Sequence, residues 1–190
     1  MNIDIQRNRL KNSIAKNIYD LKYYQEYGVY TLKDCLSSDD ICILNDIFED
    51  DTELSPDIES ALEIVTKCLN TLSLPVELIS VRFENHKSNA CMTLIGNETN
   101  DTNIFKMVLP LQDVTDDMGP YLFYPNTNNI IMYKQSLEDS NGEIIERNHV
   151  LGTVKKGDCI IYQSNILKFM KDNTSGVDNK MLIITYKGKS

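Results

Sequence analysis

The residue pattern changes at Pro75, and this change constrains the fold more than any other feature of the chain. Before Pro75, apolar residues recur every three or four positions, which is the spacing of amphipathic helices. After it, short β-branched and aromatic segments alternate with clusters of Gly, Asn, Asp and Pro. Helices followed by many short strands are typical of a sandwich or barrel with helices packed on one side.

The apolar spacing and the capping residues predict three helices and one strand before Pro75. In chain order they are a helix over residues 4–26, a strand over 29–32, a helix over 41–48 capped by residues 37–40, and a helix over 58–72. The predicted strands after Pro75 are 76–83, 90–95, 104–111, 120–124, 130–133, 143–146, 150–154, 158–163 and 180–187. We therefore expect a single α+β domain over residues 1–190, with helical support in 1–75 and the strands in 76–190.

Charge and cysteine content exclude some functions. The chain has 19 Lys and Arg against 28 Asp and Glu, a net charge of -9, which argues against a general nucleic-acid binder. It shows neither a signal peptide nor an apolar stretch of about 18 residues, so we expect no membrane association. Five cysteines without a Cys-x-x-Cys pair indicate reduced thiols in a cytoplasmic protein. Abundant Asn, Ile, Lys and Tyr suit an AT-rich genome, such as that of a large DNA virus or a protist; a viral protein could instead be virion-associated.

Three stretches together resemble the phytanoyl-CoA dioxygenase-like branch of the Fe(II)/2-oxoglutarate oxygenases. Residues 27–37 resemble its opening "G-(apolar)-x-(apolar)-x-x-x-L-(S/T)" segment. Residues 109–120, with 124–127, resemble "L-x-L-x-D-x-T-x-x-N-G-P…P-G-S-H". Residues 156–162 and 173–175 resemble "G-D-(apolar)3-(F/Y)…H-x4-N-x-S". The resemblance implies a double-stranded β-helix, or jelly roll, with the N-terminal helices packed against it.

The family's chemistry requires two His and one carboxylate that hold iron on one face. In the motif H-x4-N-x-S, the position of the distal His falls on Lys168, because the Asn of the motif is Asn173. A protonated lysine has no lone pair and would repel the metal. The proximal His-x-Asp belongs in the segment Cys91–Ile95, which contains neither residue type. All three ligand positions therefore differ from the family pattern.

The two histidines of the chain do not replace these ligands. His86 lies in a polar segment, where we expect it on the surface, and His149 precedes the Gly157 turn instead of following it. The late Arg of the family, which pairs with the far carboxylate of the co-substrate, corresponds to Lys180. The resemblance thus implies a vestigial pocket with Lys168 and Lys180 as its anion-binding residues.

We accordingly predict a pseudoenzyme: a non-catalytic oxygenase-fold protein that acts as a binding or structural module, with no catalytic residue, metal or cofactor. Its expected partner is another protein or a second copy, in an assembly role if the source is a virus. Two alternatives remain. One is a 2-oxoglutarate-dependent oxygenase with an unconventional metal site built from His86 with Glu98 or Asp101. The other is a sensor that binds a small dicarboxylate in the vestigial pocket.

Overall fold

Two helices and nine strands make up the described part of the chain, which comprises residues 28–49, 58–70, 72, 75–90, 93–94, 101–124 and 150–188 of a computed structural model. In chain order they are β1 (Val29–Leu32), α1 (Ser38–Glu49), α2 (Ile58–Asn70), β2 (Val76–His86), β3 (Thr93–Leu94), β4 (Ile104–Pro110), β5 (Tyr121–Tyr124), β6 (Val150–Leu151), β7 (Cys159–Gln163), β8 (Leu167–Met170) and β9 (Asn179–Gly188). None of the helices in these ranges is long and apolar enough to cross a membrane.

The start of α1 is fixed by a reciprocal cap. The Asp40 backbone N–H donates to Ser37 Oγ at 3.1 Å, and the Ser37 backbone N–H donates to Asp40 Oδ2 at 2.8 Å. Two backbone donors that no helical carbonyl could reach are thereby satisfied. Lys67 of α2 places its Nζ 2.6 Å from the same carboxylate oxygen, which ties the two helices together.

The strands form two antiparallel sheets. The five-stranded sheet has the order β1-β7-β4-β9-β2, and the four-stranded sheet has the order β3-β8-β5-β6. Side chains of both sheets share one buried cluster, to which β4 and β7 contribute Val108 and Tyr162 and β5 contributes Phe123. Two facing antiparallel sheets in this order form a double-stranded β-helix, so the predicted α+β jelly roll with packed helices is confirmed.

The central strands β7, β4 and β9 of the five-stranded sheet are buried on both faces, because their side chains alternate between two cores. Met107 and Leu109 of β4 face the helices, together with Leu182 of β9. Val108 and Ile183, one position along each strand, point into the space between the sheets. Each large side chain buried in this way contributes roughly 1.5–3 kcal/mol relative to an exposed one.

The observed elements follow most of the sequence prediction. The helices over 41–48 and 58–72 and the strand over 29–32 are present with small changes of boundary. One observed strand, β8 (Leu167–Met170), is absent from the predicted set. The predicted helix over 4–26 and the predicted strands over 130–133 and 143–146 lie outside the described residues.

Candidate functional site

Lys168 lies between the two sheets. Its neighbours Leu167 and Phe169 pack with Tyr124 on the outer face of the four-stranded sheet, whereas Met170 belongs to the cluster between the sheets. Strand alternation therefore turns Lys168 inward. Its exposed fraction is 0%, and Nζ lies 4.9 Å from the centroid of the Tyr162 ring. A cation over an aromatic face is attracted by the ring quadrupole.

A second lysine points into the same space. Lys106 of β4 is the register partner of Tyr162 and is 4% exposed. Burial lowers the pKa of Lys106 to about 8, and the positive charges of Lys168 and Arg82 lower it further, against an opposing effect of Glu84. Burial likewise lowers the pKa of Lys168 to about 7, with Arg82 lowering it and Glu84 raising it. Both amines are thus poised to titrate near neutral pH.

The remaining charges come from β2, at the edge of the five-stranded sheet. Val81 and Phe83 pack on the helix side, so Arg82 and Glu84 turn to the opposite face. Arg82 forms an ion pair with Glu84, with 3.3 Å between Nη2 and Oε2. We call Arg82, Glu84, Lys106, Tyr162 and Lys168 the inner cluster. Among the described residues it holds three basic groups against one carboxylate, and the Arg82 side chain, at 55% exposed, lies at its outer margin.

The inner cluster does not fit an Fe(II) centre. A facial triad needs three neutral or anionic donors on one face of the metal. Lys168 brings at most one nitrogen, and only when it is neutral, while Lys106 and Arg82 repel a cation. Burial holds the pKa of Tyr162 far above its usual range, so its phenol stays protonated. Over the described ranges, no three His, Cys, Asp or Glu side chains are arranged to hold a metal ion.

Lys180, the second predicted pocket residue, is on the other face of the sheet. Lys180 is two residues before Leu182 on β9, so both side chains point to the face that packs against the helices. Its Nζ lies 5.2 Å from the centroid of the Phe48 ring in α1. The structure does not bring Lys180 and Lys168 together. The preceding residue, Asn179, takes the inner position and is 1% exposed. Its Oδ1 accepts a hydrogen bond from Gln112 Nε2 at 3.1 Å.

His86 is buried, contrary to the expectation of a surface loop. It is the last residue of β2, is 7% exposed, and its Nε2 lies 2.9 Å from the carbonyl oxygen of Lys171. The polar neighbours of His86 suggested a loop, but β2 extends further than its apolar part because each of its last residues pairs with β9. The ring of His86 fills the space beside Gly119.

His86 and Asp101 do not converge. His86 pairs with Asn179 at the start of β9, and Asp101 Oδ2 accepts a hydrogen bond from Lys187 Nζ near the end of that strand, at 3.2 Å. Eight residues at about 3.3 Å each place Asn179 and Lys187 roughly 26 Å apart. His149, Glu98 and Cys91 lie outside the described residues.

Lys106, Arg82, Glu84 and Asn179 were missed by the sequence reasoning. Lys106 could have been recognised from the sequence, because it interrupts the apolar run from Ile104 to Leu111. Such a run is typical of a strand that is buried on both faces, where a lysine is unusual. The sequence pattern of β2 does not mark Arg82 and Glu84 as site residues, because charged side chains that face solvent are common on edge strands.

Comparison with known proteins finds similar folds among solved structures. No family model matches the chain, and no curated protein does. Among solved structures, HygX from Streptomyces hygroscopicus with nickel and 2-oxoglutarate bound has a TM-score of 0.72 at 12% identity, over 89% of this chain and 85% of that one. AviO1 from Streptomyces viridochromogenes Tue57 has a TM-score of 0.72 at 12% identity, over 90% and 94% of the two chains.

A third similar structure is SnoN, the non-heme α-ketoglutarate-dependent epimerase from nogalamycin biosynthesis. Its TM-score is 0.69 at 11% identity, over 96% of this chain and 84% of SnoN. The class defined by these similarities is the Fe/2-oxoglutarate-dependent oxygenase fold. At such low identity the likeness concerns the fold, and it leaves the chemistry to be argued from the inner cluster.

Proposed function

We propose that this chain is a non-catalytic member of the oxygenase fold that acts as a binding or structural module. The observation that carries the proposal is the fully buried Lys168, which the resemblance aligns with the distal iron ligand. Lys106 and Arg82 add positive charge around it, and Tyr162 offers a protonated phenol. This environment disfavours a divalent cation at every protonation state of Lys168.

An anaerobic titration with Fe(II) and 2-oxoglutarate tests this proposal. We expect no binding of the two together at micromolar concentrations by calorimetry. HygX, which has been crystallised with iron, is a positive control of the same fold. Binding of one Fe(II) per chain with micromolar affinity would contradict the proposal, since the inner cluster offers no donor set for it.

The fold itself favours a second candidate, a 2-oxoglutarate-dependent oxygenase with an unconventional metal site. HygX has been crystallised with nickel and 2-oxoglutarate, and SnoN depends on α-ketoglutarate. Because His86 and Asp101 lie far apart, the donors beside His86 would have to include residues outside the described ranges, such as Glu98. Iron-dependent release of succinate from 2-oxoglutarate, lost in His86→Ala and retained in Asp101→Asn, would support this candidate over the first.

The excess of positive charge in the inner cluster favours a third candidate, a sensor of small dicarboxylates. Lys168 and Lys106 supply charge-assisted donors, which bind carboxylates more strongly than neutral donors do. Lys180 would contribute only to a site on the helix side. A thermal-shift screen with dicarboxylates tests this: ligands that stabilise the wild type and Lys180→Met, but not Lys168→Met, would support the sensor. No stabilisation by any of them would count against it.

A binding or structural role requires a partner, and the edge of the five-stranded sheet supports a protein partner or a second copy. The first half of the edge strand β2 exposes Leu78 and Ile79, at 38% and 50%. Apolar side chains on an edge strand favour pairing with another strand. Sedimentation of the wild type should show concentration-dependent association that Ile79→Lys abolishes. The matched control is Val177→Lys, which changes an exposed apolar residue near the opposite end of β2 from Ile79. If the source is a large virus, such a contact would serve assembly of the virion.

A further inference from the structure

Two cysteines that are 124 positions apart in the sequence meet in the core between the helices and the five-stranded sheet. Cys35 Sγ and Cys159 Sγ are 3.1 Å apart, and both residues are buried. That separation is about 1 Å longer than a disulfide bond of ~2.05 Å. Both side chains are thiols in this structure. A small movement of the two side chains would therefore bring the sulfurs to bonding distance.

The backbone holds the two cysteines in this position. Cys159 is the register partner of Leu32 at the end of β1. The backbone N–H of Cys35 donates to the carbonyl of Gly157 at 2.7 Å, and the backbone N–H of Leu36 donates to the same oxygen at 3.0 Å. Gly157 has a φ of +89°, and a Cβ there would lie 2.9 Å from the Leu36 carbonyl oxygen. Only glycine accommodates this close approach.

We propose that Cys35 and Cys159 form a reversible disulfide in response to a low-molecular-weight disulfide such as oxidised glutathione. One cysteine thiolate attacks the glutathione disulfide, forming a mixed disulfide and releasing one glutathione thiolate. The second cysteine then displaces the other glutathione and closes the protein disulfide. In total two protein thiols lose two electrons and two protons, and one oxidised glutathione becomes two reduced ones.

The environment makes this reaction slow while the core is closed. Burial raises the pKa of the Cys159 thiol well above its usual range, with the neighbouring Cys35 raising it further. The thiol, not the reactive thiolate, is therefore the resting form at neutral pH. Access requires transient opening of the junction between β1 and α1, so the pair responds to sustained rather than brief oxidation.

Cys68 is the competing thiol, since its Sγ lies 3.7 Å from the carbonyl oxygen of Cys35. Its contact is with the backbone of Cys35, whereas the sulfur of Cys35 faces Cys159. Cys42 is exposed on α1 and does not belong to the pair, so its glutathionylation shows that the reagent has reacted with accessible thiols. The disulfide would join the connection between β1 and α1 to the first residue of β7 and so couple the entry to the helical layer to the sheet.

Peptide mapping of the oxidised full-length chain tests the proposal. The wild type is equilibrated with oxidised and reduced glutathione at fixed ratios, alkylated and digested. We expect a cross-linked peptide containing Cys35 and Cys159, reversed by dithiothreitol. Because a disulfide closing a long loop destabilises the unfolded chain, the oxidised protein should melt on the order of 10 °C higher. Cys159→Ala should show no such rise, whereas Cys42→Ser should behave as the wild type.

Two results would overturn the proposal. One is a Cys35–Cys68 cross-link in place of the expected one. The other is the absence of any internal cross-link under conditions in which Cys42 is completely glutathionylated. Both readings come from the wild-type chain, so they remain decisive even if Cys159→Ala fails to fold. Neither depends on whether the chain binds iron or 2-oxoglutarate.

Discussion

Lys168 Nζ lies 4.9 Å from the centroid of the Tyr162 ring, in the space between the two sheets of the jelly roll. The contact joins β8 of the four-stranded sheet to β7 of the five-stranded sheet. A fully buried amine in this position makes the charge of the inner cluster dependent on pH. That dependence gives the first prediction.

Lys168→Met should remove a contribution to stability that grows between neutral and alkaline pH. Burial lowers the pKa of Lys168 from 10.5 to about 7 in the folded protein. At this residue the unfolded chain therefore binds more protons than the folded one between about pH 7 and 10.5, so the contribution of Lys168 to stability rises with pH across that window. The contribution of Lys168 is about 3–5 kcal/mol over the whole window. Urea unfolding at pH 7 and 9.5 covers about 2.5 pH units of this window and so roughly 3 kcal/mol of the contribution.

Lys180→Met is the control for this experiment, because Lys180 lies on the helix side near Phe48. Its urea unfolding at the same two pH values gives the reference for loss of a lysine outside the inner cluster. If the free energy of unfolding changes equally with pH in Lys168→Met and in the wild type, burial does not lower the pKa of Lys168 in the folded protein, and the prediction is wrong.

Gly119→Ala should be strongly destabilising. Gly119 has a φ of +69°, and a Cβ there would lie 2.5 Å from the ring of His86 and 2.7 Å from the backbone oxygen of Lys171. The backbone strain costs about 1–2 kcal/mol, and the steric overlap adds roughly 1–3 kcal/mol. Chemical denaturation should show a loss of about 3 kcal/mol or more.

Gly176→Ala separates these two contributions. Gly176 has a φ of +78°, but a Cβ there meets no atom within 4 Å. It should lose only the backbone part, about 1–2 kcal/mol. If both substitutions cost the same, the predicted contact with His86 and Lys171 is wrong.

Asn173→Ala should destabilise the turn that buries His86. Asn173 is 0% exposed, and its Nδ2 donates to the carbonyl oxygens of His86 at 3.0 Å and Val177 at 2.8 Å. Its removal leaves buried acceptors without their donor, at a cost of roughly 1–3 kcal/mol for each unsatisfied group. The neighbouring Thr174→Ala is the control, since its hydroxyl is exposed and makes only a 3.4 Å contact. The two free energies of unfolding should differ by at least about 1 kcal/mol.

Ser37→Ala should weaken the start of α1. The substitution removes the acceptor of the Asp40 backbone N–H, a typical capping loss of about 1 kcal/mol. Ser38→Ala, one residue along, serves as the control and should change stability by less than about 0.5 kcal/mol. Denaturant midpoints of the two variants compare them directly, and equal losses would argue against a specific cap at Ser37.

The sequence was informative where a pattern is local. The apolar spacing of residues 41–48 and 58–72 predicted both described helices, because a helix buries one stripe at a fixed period. β8 escaped prediction because Leu167-Lys168-Phe169-Met170 is apolar on both faces except at Lys168. A lysine in such a run is normally taken for the exposed position, whereas here Lys168 is fully buried between the sheets. The opposite face, with Leu167 and Phe169, is buried as well and packs with Tyr124.

The inner cluster could be predicted only in part. The motif resemblance singled out Lys168, and the structure gives that residue a buried position. It also singled out Lys180, whose strand phase points to the helices, while Asn179 takes the inner place. Shifting a strand by one residue moves each side chain to the other face of the sheet. Motif spacing alone does not give the register of a strand with its partner, so it does not determine which face Lys180 occupies.

The amino-acid sequence by itself predicted the two described helices and every described strand except β8, and it has no histidine where the resemblance expects a ligand. These properties depend on residue type and short-range period alone. Only the tertiary structure decided that Lys106 joins Lys168, that His86 is buried, and that Cys35 meets Cys159. Such contacts join residues far apart in the chain, and they depend on strand register and on which face of each sheet is covered.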